Sequence, residues 1–295
     1  SPLRHHSFHD CSTYQAPADF NPFKGYLMAK TLLTLFFGTV VSIILTGTSE
    51  AAVIHVPDNY RTIQEAVNSA SPGDTVIVNE GDYTENIVIS KPLTVKSSKG
   101  PDASVVHAAV PGKPVFEVKN IREAEISGFT ATGSLIAGIY IDSSDNVIIK
   151  DNKAIDNGSG IILSSSNNNT LSNNVASSNK QYGIYLKSSS KNTLDKNNVR
   201  SNMDTGIFLS SSSYNSLAGN NVNLNKWNGI LLWSSHSNTL KGNKALRNMF
   251  AIVLSDSNDN LMTGNSTWPN IYIILPIVLV YIGIITYLIQ KSLIR

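Results

Sequence analysis

Beyond residue 137 the apolar residues fall in three short clusters that return every 22 or 23 positions, with polar turn formers between them. Gly160-Ile161-Ile162-Leu163 recurs as Gly183-Ile184-Tyr185-Leu186, Gly206-Ile207-Phe208-Leu209 and Gly229-Ile230-Leu231-Leu232, each 23 residues on. Gly138-Ile139-Tyr140-Ile141 and Ala251-Ile252-Val253-Leu254 extend the series by steps of 22. A second cluster centres on Leu171, Leu194, Leu217 and Leu240, and a third on Ala176, Val199, Val222 and Ala245. Asn stands in three further columns. One runs through Asn169, Asn192, Asn215, Asn238 and Asn260, and another through Asn152, Asn174, Asn197, Asn220, Asn243 and Asn265. The last holds Asn157, Asn179, Asn202, Asn225 and Asn248.

A period of this length without helical spacing is the signature of a solenoid. Strands so short cannot bury a face alone. Stacking coil on coil does it, because equivalent residues then stand about 4.8 Å apart in parallel strands. The pattern therefore predicts an all-β chain, a three-sided parallel β-helix. Asn is expected at the corners, tolerating left-handed backbone and forming side-chain ladders at Asn152, Asn174, Asn197, Asn220 and Asn243. Gly at the head of each coil suits a tight bend or a close backbone approach. Projected backward, Val115-Phe116-Glu117-Val118, Ile126 and Ala131 keep the register, so regular coils run over 115–267. Earlier still, Ile63, Ala66, Val67 and Ala70 share one face of a helix over Thr62–Ala70, stopped by Pro72-Gly73 and placed to cap the open end. Strand-like runs at Thr75–Val78, Ile87–Ile89, Leu93–Val95 and Ser104–Ala109 supply irregular first coils. About eight coils give a length of roughly 40 Å.

The flanks carry a different pattern. Met28-Ala29-Lys30, an apolar run from Leu32 to Leu45 and the small residues Ser49 and Ala51 predict a signal peptide over 28–51. Residues 1–27, with His5, His6 and His9, precede that first Met and are set aside from the fold. Ile271–Ile289 is 19 residues without a charge, followed by Lys291 and Arg295. This predicts a membrane-spanning helix over 271–289 with 290–295 cytoplasmic, leaving 52–270 as an extracytoplasmic domain on the cell surface.

Composition removes several function classes. Residues 138–267 hold 25 Asn and 24 Ser, which would suggest disorder had the register not been kept. Between residues 52 and 270, 18 Lys and Arg balance 18 Asp and Glu, which argues against a nucleic-acid partner. Cys11 is the only cysteine, so disulfide scaffolds and thiolate metal sites are excluded from the domain.

Tyr60-Arg61-Thr62-Ile63-Gln64-Glu65-Ala66-Val67, Pro72-Gly73-Asp74-Thr75-Val76 and Gly81-Asp82-Tyr83 resemble the opening of pectin-lyase-like right-handed β-helix proteins. The Gly-Ile-x-Leu, Asn-x-Leu and Asn-Asn repeats resemble the NosD-type group of carbohydrate-binding and sugar-hydrolase β-helices, abundant on methanogenic archaeal surfaces and in the periplasm. The resemblance covers about Val53 to Thr267 and implies the fold. Its scaffold hosts lyases, hydrolases, epimerases, esterases and plain binders.

Function must then come from a site. Asp142, Asp145 and Asp151 form the best carboxylate cluster, but the register sets Asp142 beside Lys119 and Asp145 beside Arg122, where ion pairs would account for them. His55, His107 and His236 are dispersed, His236 reads as an exposed loop residue, and Met203, Met249 and Met262 form no thioether motif. No metal, cofactor or catalytic residue is assigned. The third position of the first strand should face outward, giving a stripe of Tyr140, Ile162, Tyr185, Phe208, Leu231 and Val253, with Tyr182, Trp227, Trp233 and Phe250 beside it. Tyr140, Tyr182, Tyr185, Phe208, Trp227, Leu231, Trp233 and Phe250 are the candidate binding residues. The surround is basic, with nine Lys and Arg against two Asp and Glu between residues 160 and 250. The stripe fits a non-catalytic, membrane-anchored binder of polysaccharide or surface-layer proteins. It also fits a stacking ladder of a purely structural envelope protein, and a lyase or hydrolase of acidic glycans is the enzymatic alternative. Asn157, Asn168 and Asn265 head glycosylation sequons.

Overall fold

The chain divides into Ser1–Glu50 and Ala51–Arg295. The computed structural model describes residues 51–269 and the pair 284–285. The segment expected to be a signal peptide, residues 1–27, the tail expected to be cytoplasmic and almost all of the span expected at Ile271–Ile289 lie outside the described residues. Among those that are described, no helix is long and apolar enough to cross a membrane.

Residues 53–269 wind into a parallel β-helix. Its sheet 1 has eight strands and carries the Gly-Ile-x-Leu segments; sheet 2 has ten and carries the Leu column; sheet 3 has nine and carries the Val/Ala column. Every pairing is parallel and joins equivalent repeat positions: Ile161 to Ile184, Leu171 to Leu194, Ala176 to Val199. The irregular coils obey the same rule, with Phe116 opposite Ile139 and Ile126 opposite Ile149. Stacked inward columns bury Ile139, Ile161, Leu171, Leu194, Val199 and Leu217 completely. In the first coils Phe116 and Phe129 pack together in the interior, their rings 5.1 Å apart.

The helix spans Ile63–Ser69 and does more than cover the open end. Thr62 and Glu65 form a reciprocal capping box, and the Glu85 carboxylate accepts from the N–H groups of Ile63 and Gln64 at 2.9 Å, satisfying donors that every helix start leaves over. Gln64 meets the first strand of sheet 1. Its Oε1 accepts from Val88 N–H at 2.6 Å and its Nε2 donates to the Val88 carbonyl at 3.3 Å. A side-chain amide thus replaces the strand missing at that edge. Strands at Val53–Val56 and Gly81–Thr84 lie outside the expected runs.

The corners are built by ladders. Asn197 Oδ1 accepts from Asn174 N and Nδ2, both at 3.0 Å, while its own Nδ2 donates to the Leu171 carbonyl at 2.9 Å and to Asn220 Oδ1 at 3.0 Å. The columns through Asn179 and through Asn192 repeat this arrangement. A fourth ladder, of Ser144, Ser166, Ser189, Ser212 and Ser235, joins each hydroxyl to the backbone N–H one coil before. The left-handed backbone expected of the ladder Asn belongs instead to the residue before each: Asn173, Lys196 and Gly219 in one column, Ser178, Ser201 and Leu224 in another. The turn rotates the ladder amide inward, so the strain falls on an exposed neighbour of almost any type. Of the two roles expected of the repeat glycines, close approach is the one they provide. A Cβ on Gly206 would stand 2.6 Å from Asn225 Nδ2 and 2.8 Å from the Gly229 carbonyl.

Candidate functional site

The outward stripe lies on sheet 1. Strand alternation turns Ile139, Ile161, Ile184 and Ile207 inward and leaves Tyr140, Ile162, Tyr185 and Leu231 half-buried on the outer face. Register stacks Tyr185 on Phe208 and Phe208 on Leu231. The rings of Tyr185 and Phe208 are 4.9 Å apart and only 10° from parallel, and Tyr182 leans on both at 5.0 and 5.3 Å. Phe208 is consequently buried, at 8% exposure, and is not a contact surface. That member of the candidate set is a packing residue, hidden by its neighbours in the column.

The stripe is open at its C-terminal half. Trp227 is 46% exposed, Trp233 56% and Phe250 48%. Trp233 stands in a column with Ser210 and Ser255, so no ring stacks on it along the sheet. Trp227 follows Asp204 just before the strand, its N–H donating to the Asp204 carbonyl, while Phe250 pairs in register with Asn228 and donates its N–H to the Trp227 carbonyl. Tyr182 gains its polar setting here. Burial first, then the negative charge of Asp204 and the adjoining Tyr185, hold its phenol above the ordinary tyrosine value.

The aspartates behave differently from expectation. Asp142 does pair in register with Lys119, and Asp145 with Arg122, but the coil-to-coil ion pairs do not form. Lys119 turns to Glu117 at 3.8 Å. Asp145 Oδ1 accepts from the backbone N–H of Asn167 at 2.7 Å and Asp142 from Ser143 at 3.4 Å. Register sets which residues are neighbours but not the rotamers of long side chains, and a nearby hydroxyl or backbone donor outcompetes a long cation. A pair missed from sequence is Glu125 with Lys150, 3.1 Å apart. With Gly73, Leu93, Thr94, Glu123 and Ile148, Glu125 borders a cleft of about 350 Å³ on sheet 2. Irregular spacing there, 31 residues from Thr94 to its partner Glu125, conceals this juxtaposition in the sequence.

The sequons separate by burial. Asn157 is fully buried, and its Nδ2 donates to the carbonyls of Ala131 and Ile155 at 2.9 Å. A glycan would have to displace both bonds, so this candidate is corrected to a ladder residue. Asn265 Nδ2 is held by the Leu240 carbonyl at 2.8 Å. Asn168 is exposed at a left-handed corner. His236 is half-buried rather than a loose loop residue, because its Nδ1 accepts from Asn258 N–H at 3.1 Å.

A family model described as NosD, periplasmic copper-binding protein, matches residues 67–272. The chain belongs to the NosD family. A cell surface glycoprotein of Methanothermus fervidus is 30% identical over 124 residues, 41% of this chain and 20% of that protein, so this chain spans about a fifth of that relative's length. Among solved structures, the periplasmic alginate epimerase AlgG superposes with a TM-score of 0.54 at 19% identity, over 67% of this chain and 61% of that one. A DFA-IIIase from Arthrobacter chlorophenolicus A6 gives 0.62 at 12% identity, over 72% and 71%. These likenesses show the parallel β-helix fold.

The family description raises copper, and the donors present do not suit it. Among the described residues no three His, Cys, Asp or Glu side chains stand close enough to share an ion. His107 is spent beside Asp82 at 3.5 Å and His236 on Asn258. Met203 and Met249 are two coils apart, with Lys226 in the column between them. Copper asks for several converging imidazole or thioether ligands, and the described fold disperses both.

Proposed function

We propose that this NosD-family chain is a non-catalytic, membrane-anchored surface β-helix that binds carbohydrate or another envelope component through the open half of its sheet 1 stripe. The observation carrying this reading is the exposure of Trp227, Trp233 and Phe250 beside a packed three-ring cluster. Exposed aromatic faces on a rigid sheet supply contact area with little entropy to lose, and such apolar patches mark binding surfaces. The printed name of the Methanothermus fervidus relative, a cell surface glycoprotein, supports a surface location. Lyase or hydrolase chemistry would fall to the Glu123–Glu125 cleft. There Glu125 already accepts from Ser127 at 2.8 Å and pairs with Lys150, which favours the binding reading.

The test is Trp227→Ser, Trp233→Ser and Phe250→Ser combined in the full chain. Binding to isolated cell envelope should fall at least tenfold while the melting temperature stays within a few degrees. Phe208 is left intact, because removing a buried ring would confuse unfolding with lost contact. A folded triple variant that binds as before would overturn the proposal. Anchoring has its own support in the last coil, where the inward-column residues Leu254 and Met262 are 36% and 46% exposed and the apolar run Ile271–Ile289 follows. Full-length chain should sediment with membranes and need detergent for release; its recovery in the wash, with mass confirming residues 271–289, would count against anchoring.

A further inference from the structure

At the edge of the stripe, three coils place six side chains on a small grid. Gln181, Asp204 and Trp227 form one column, joined coil to coil by backbone hydrogen bonds, and Tyr182, Thr205 and Asn228 stand next to them in the chain, one to each coil. Asp204 is at the centre. Thr205 is 1% exposed and donates its hydroxyl proton to Asp204 Oδ1 at 3.0 Å, while accepting from Asn228 Nδ2 at 3.0 Å. The buried hydroxyl therefore fixes both neighbours. It commits the Asn228 amide nitrogen, which turns the amide oxygen away. Among the described residues no protein donor reaches Asp204 Oδ2 or Asn228 Oδ1. Two acceptors, one of them charged, are left in adjacent coils one residue out of register, with the half-buried Tyr182 ring and the exposed Trp227 on either side.

Resting on the stripe reading, we propose that Asp204 and Asn228 form the polar arm of a subsite for one neutral hexose unit, with Tyr182 and Trp227 as its apolar walls. Two fixed acceptors call for two ligand donors, and hydroxyls on neighbouring ring carbons supply them. A carboxylate accepting from hydroxyls makes the stronger, charge-assisted kind of hydrogen bond. A few fixed polar groups among aromatic walls is the usual build of a small-ligand site. The same charge disfavours a uronic acid. Lys180 and Lys226, exposed on the neighbouring corner, supply the opposing pull that the experiment must weigh.

Full-length chain in detergent would be titrated calorimetrically with cellohexaose, mannohexaose, galactohexaose and hexagalacturonate, alongside isolated envelope. At least one neutral hexamer should bind, and Asp204→Asn should weaken it at least tenfold without moving the melting temperature by more than a few degrees. Asn228→Ser, which keeps a small polar group, should weaken it several-fold and covers the case in which Asp204→Asn unfolds. Neutral binding that survives both changes overturns the subsite and leaves the stripe reading standing. Preference for hexagalacturonate also overturns it, assigning the site to acidic glycans through the lysines. If envelope binds but no hexamer does, the subsite alone fails. If envelope does not bind either, the stripe reading fails with it.

Discussion

Between Val53 and Phe129 the solenoid closes its core with large apolar residues, a helix capped at its start by Thr62, Glu65 and Glu85, and an edge strand finished by Gln64. From Asn152 onward those devices give way to four ladders of Asn and Ser, in which each coil's buried amides and hydroxyls satisfy the backbone of its neighbour. The ion pairs divide the same way. Five of the six among the described residues have both partners at or before Lys153, and Lys196–Asp195 is the sixth. A coil whose corners are sealed from within needs nothing outside, so its outer face is free to vary. The aromatic stripe stands where that freedom exists. In the first coils the outer residues are engaged in holding irregular turns together, and the cleft beside Glu125 is what their uneven spacing leaves.

The largest effect that would sharpen this comparison is a change in one ladder residue. Asn197→Leu leaves the Asn174 N–H buried without a partner and removes one bond each from Asn174 Nδ2, the Leu171 carbonyl and Asn220 Oδ1. At about 1–3 kcal/mol for the orphaned donor and about 1 kcal/mol for each of the other bonds lost, the total should reach about 3 kcal/mol or more. Phe129→Leu in the first coils removes only part of a packed ring and should cost about 1–2 kcal/mol. Urea unfolding of the two variants decides it. If Asn197→Leu is the milder change, the ladders are not what holds the regular coils.

A smaller effect tests the other region. Gln64→Ala frees the Val88 N–H and carbonyl at the first edge of sheet 1. Water can partly replace the amide there, so the expected loss is about 1 kcal/mol, confined to the first coils. Hydrogen exchange should quicken at residues 63–89 and stay unchanged around Leu217. Faster exchange spread evenly along the chain would show that the two regions unfold as one unit and that the contrast between them is chemical only.

Most of this architecture was legible because register is a property of spacing. The steps between Gly160, Gly183, Gly206 and Gly229 carry every later pairing, and the same count finds Phe116 and Ile126 where the Asn columns are absent. What was not legible depends on the direction of side chains rather than on their order. Asp142 and Lys119 share a column yet do not meet. The Ser ladder was hidden because Ser164, Ser165 and Ser166 run together, and nothing in the string tells which of them turns inward. Phe208 looked like Tyr185 in the stripe, and only the stack between them shows that one ring covers the other. Asp204, Thr205 and Asn228 each fall in a column of unlike residues, so no repeat drew attention to them. Sites of this kind are breaks in the pattern, and a reading led by the pattern passes over them.

The smallest expected effect is a pH dependence that compares one tyrosine from each region. Tyr83 belongs to the first coils and Tyr182 to the stripe, and burial is the leading reason both phenols sit above the ordinary value of 10.0. For Tyr83 the nearby charges of Glu85 and Asp58 add to it, and for Tyr182 those of Asp204 and Tyr185. Each phenol holds its proton more tightly in the folded chain than in the unfolded one. The stability it contributes is therefore complete below pH 10 and is lost as pH rises through the raised folded value. Thermal melts should be flat from pH 8 to about pH 10 on this account and decline above it. Tyr182→Phe should remove part of the decline and Tyr83→Phe another part, additively, because the two lie far apart along the stack. Asp204→Asn, which removes one of the charges acting on Tyr182, should bring its ultraviolet titration down toward the ordinary value and leave Tyr83 unmoved. A Tyr182 titration indifferent to Asp204→Asn would mean that burial and Tyr185 set it, and that the carboxylate faces away from the ring it is proposed to serve with.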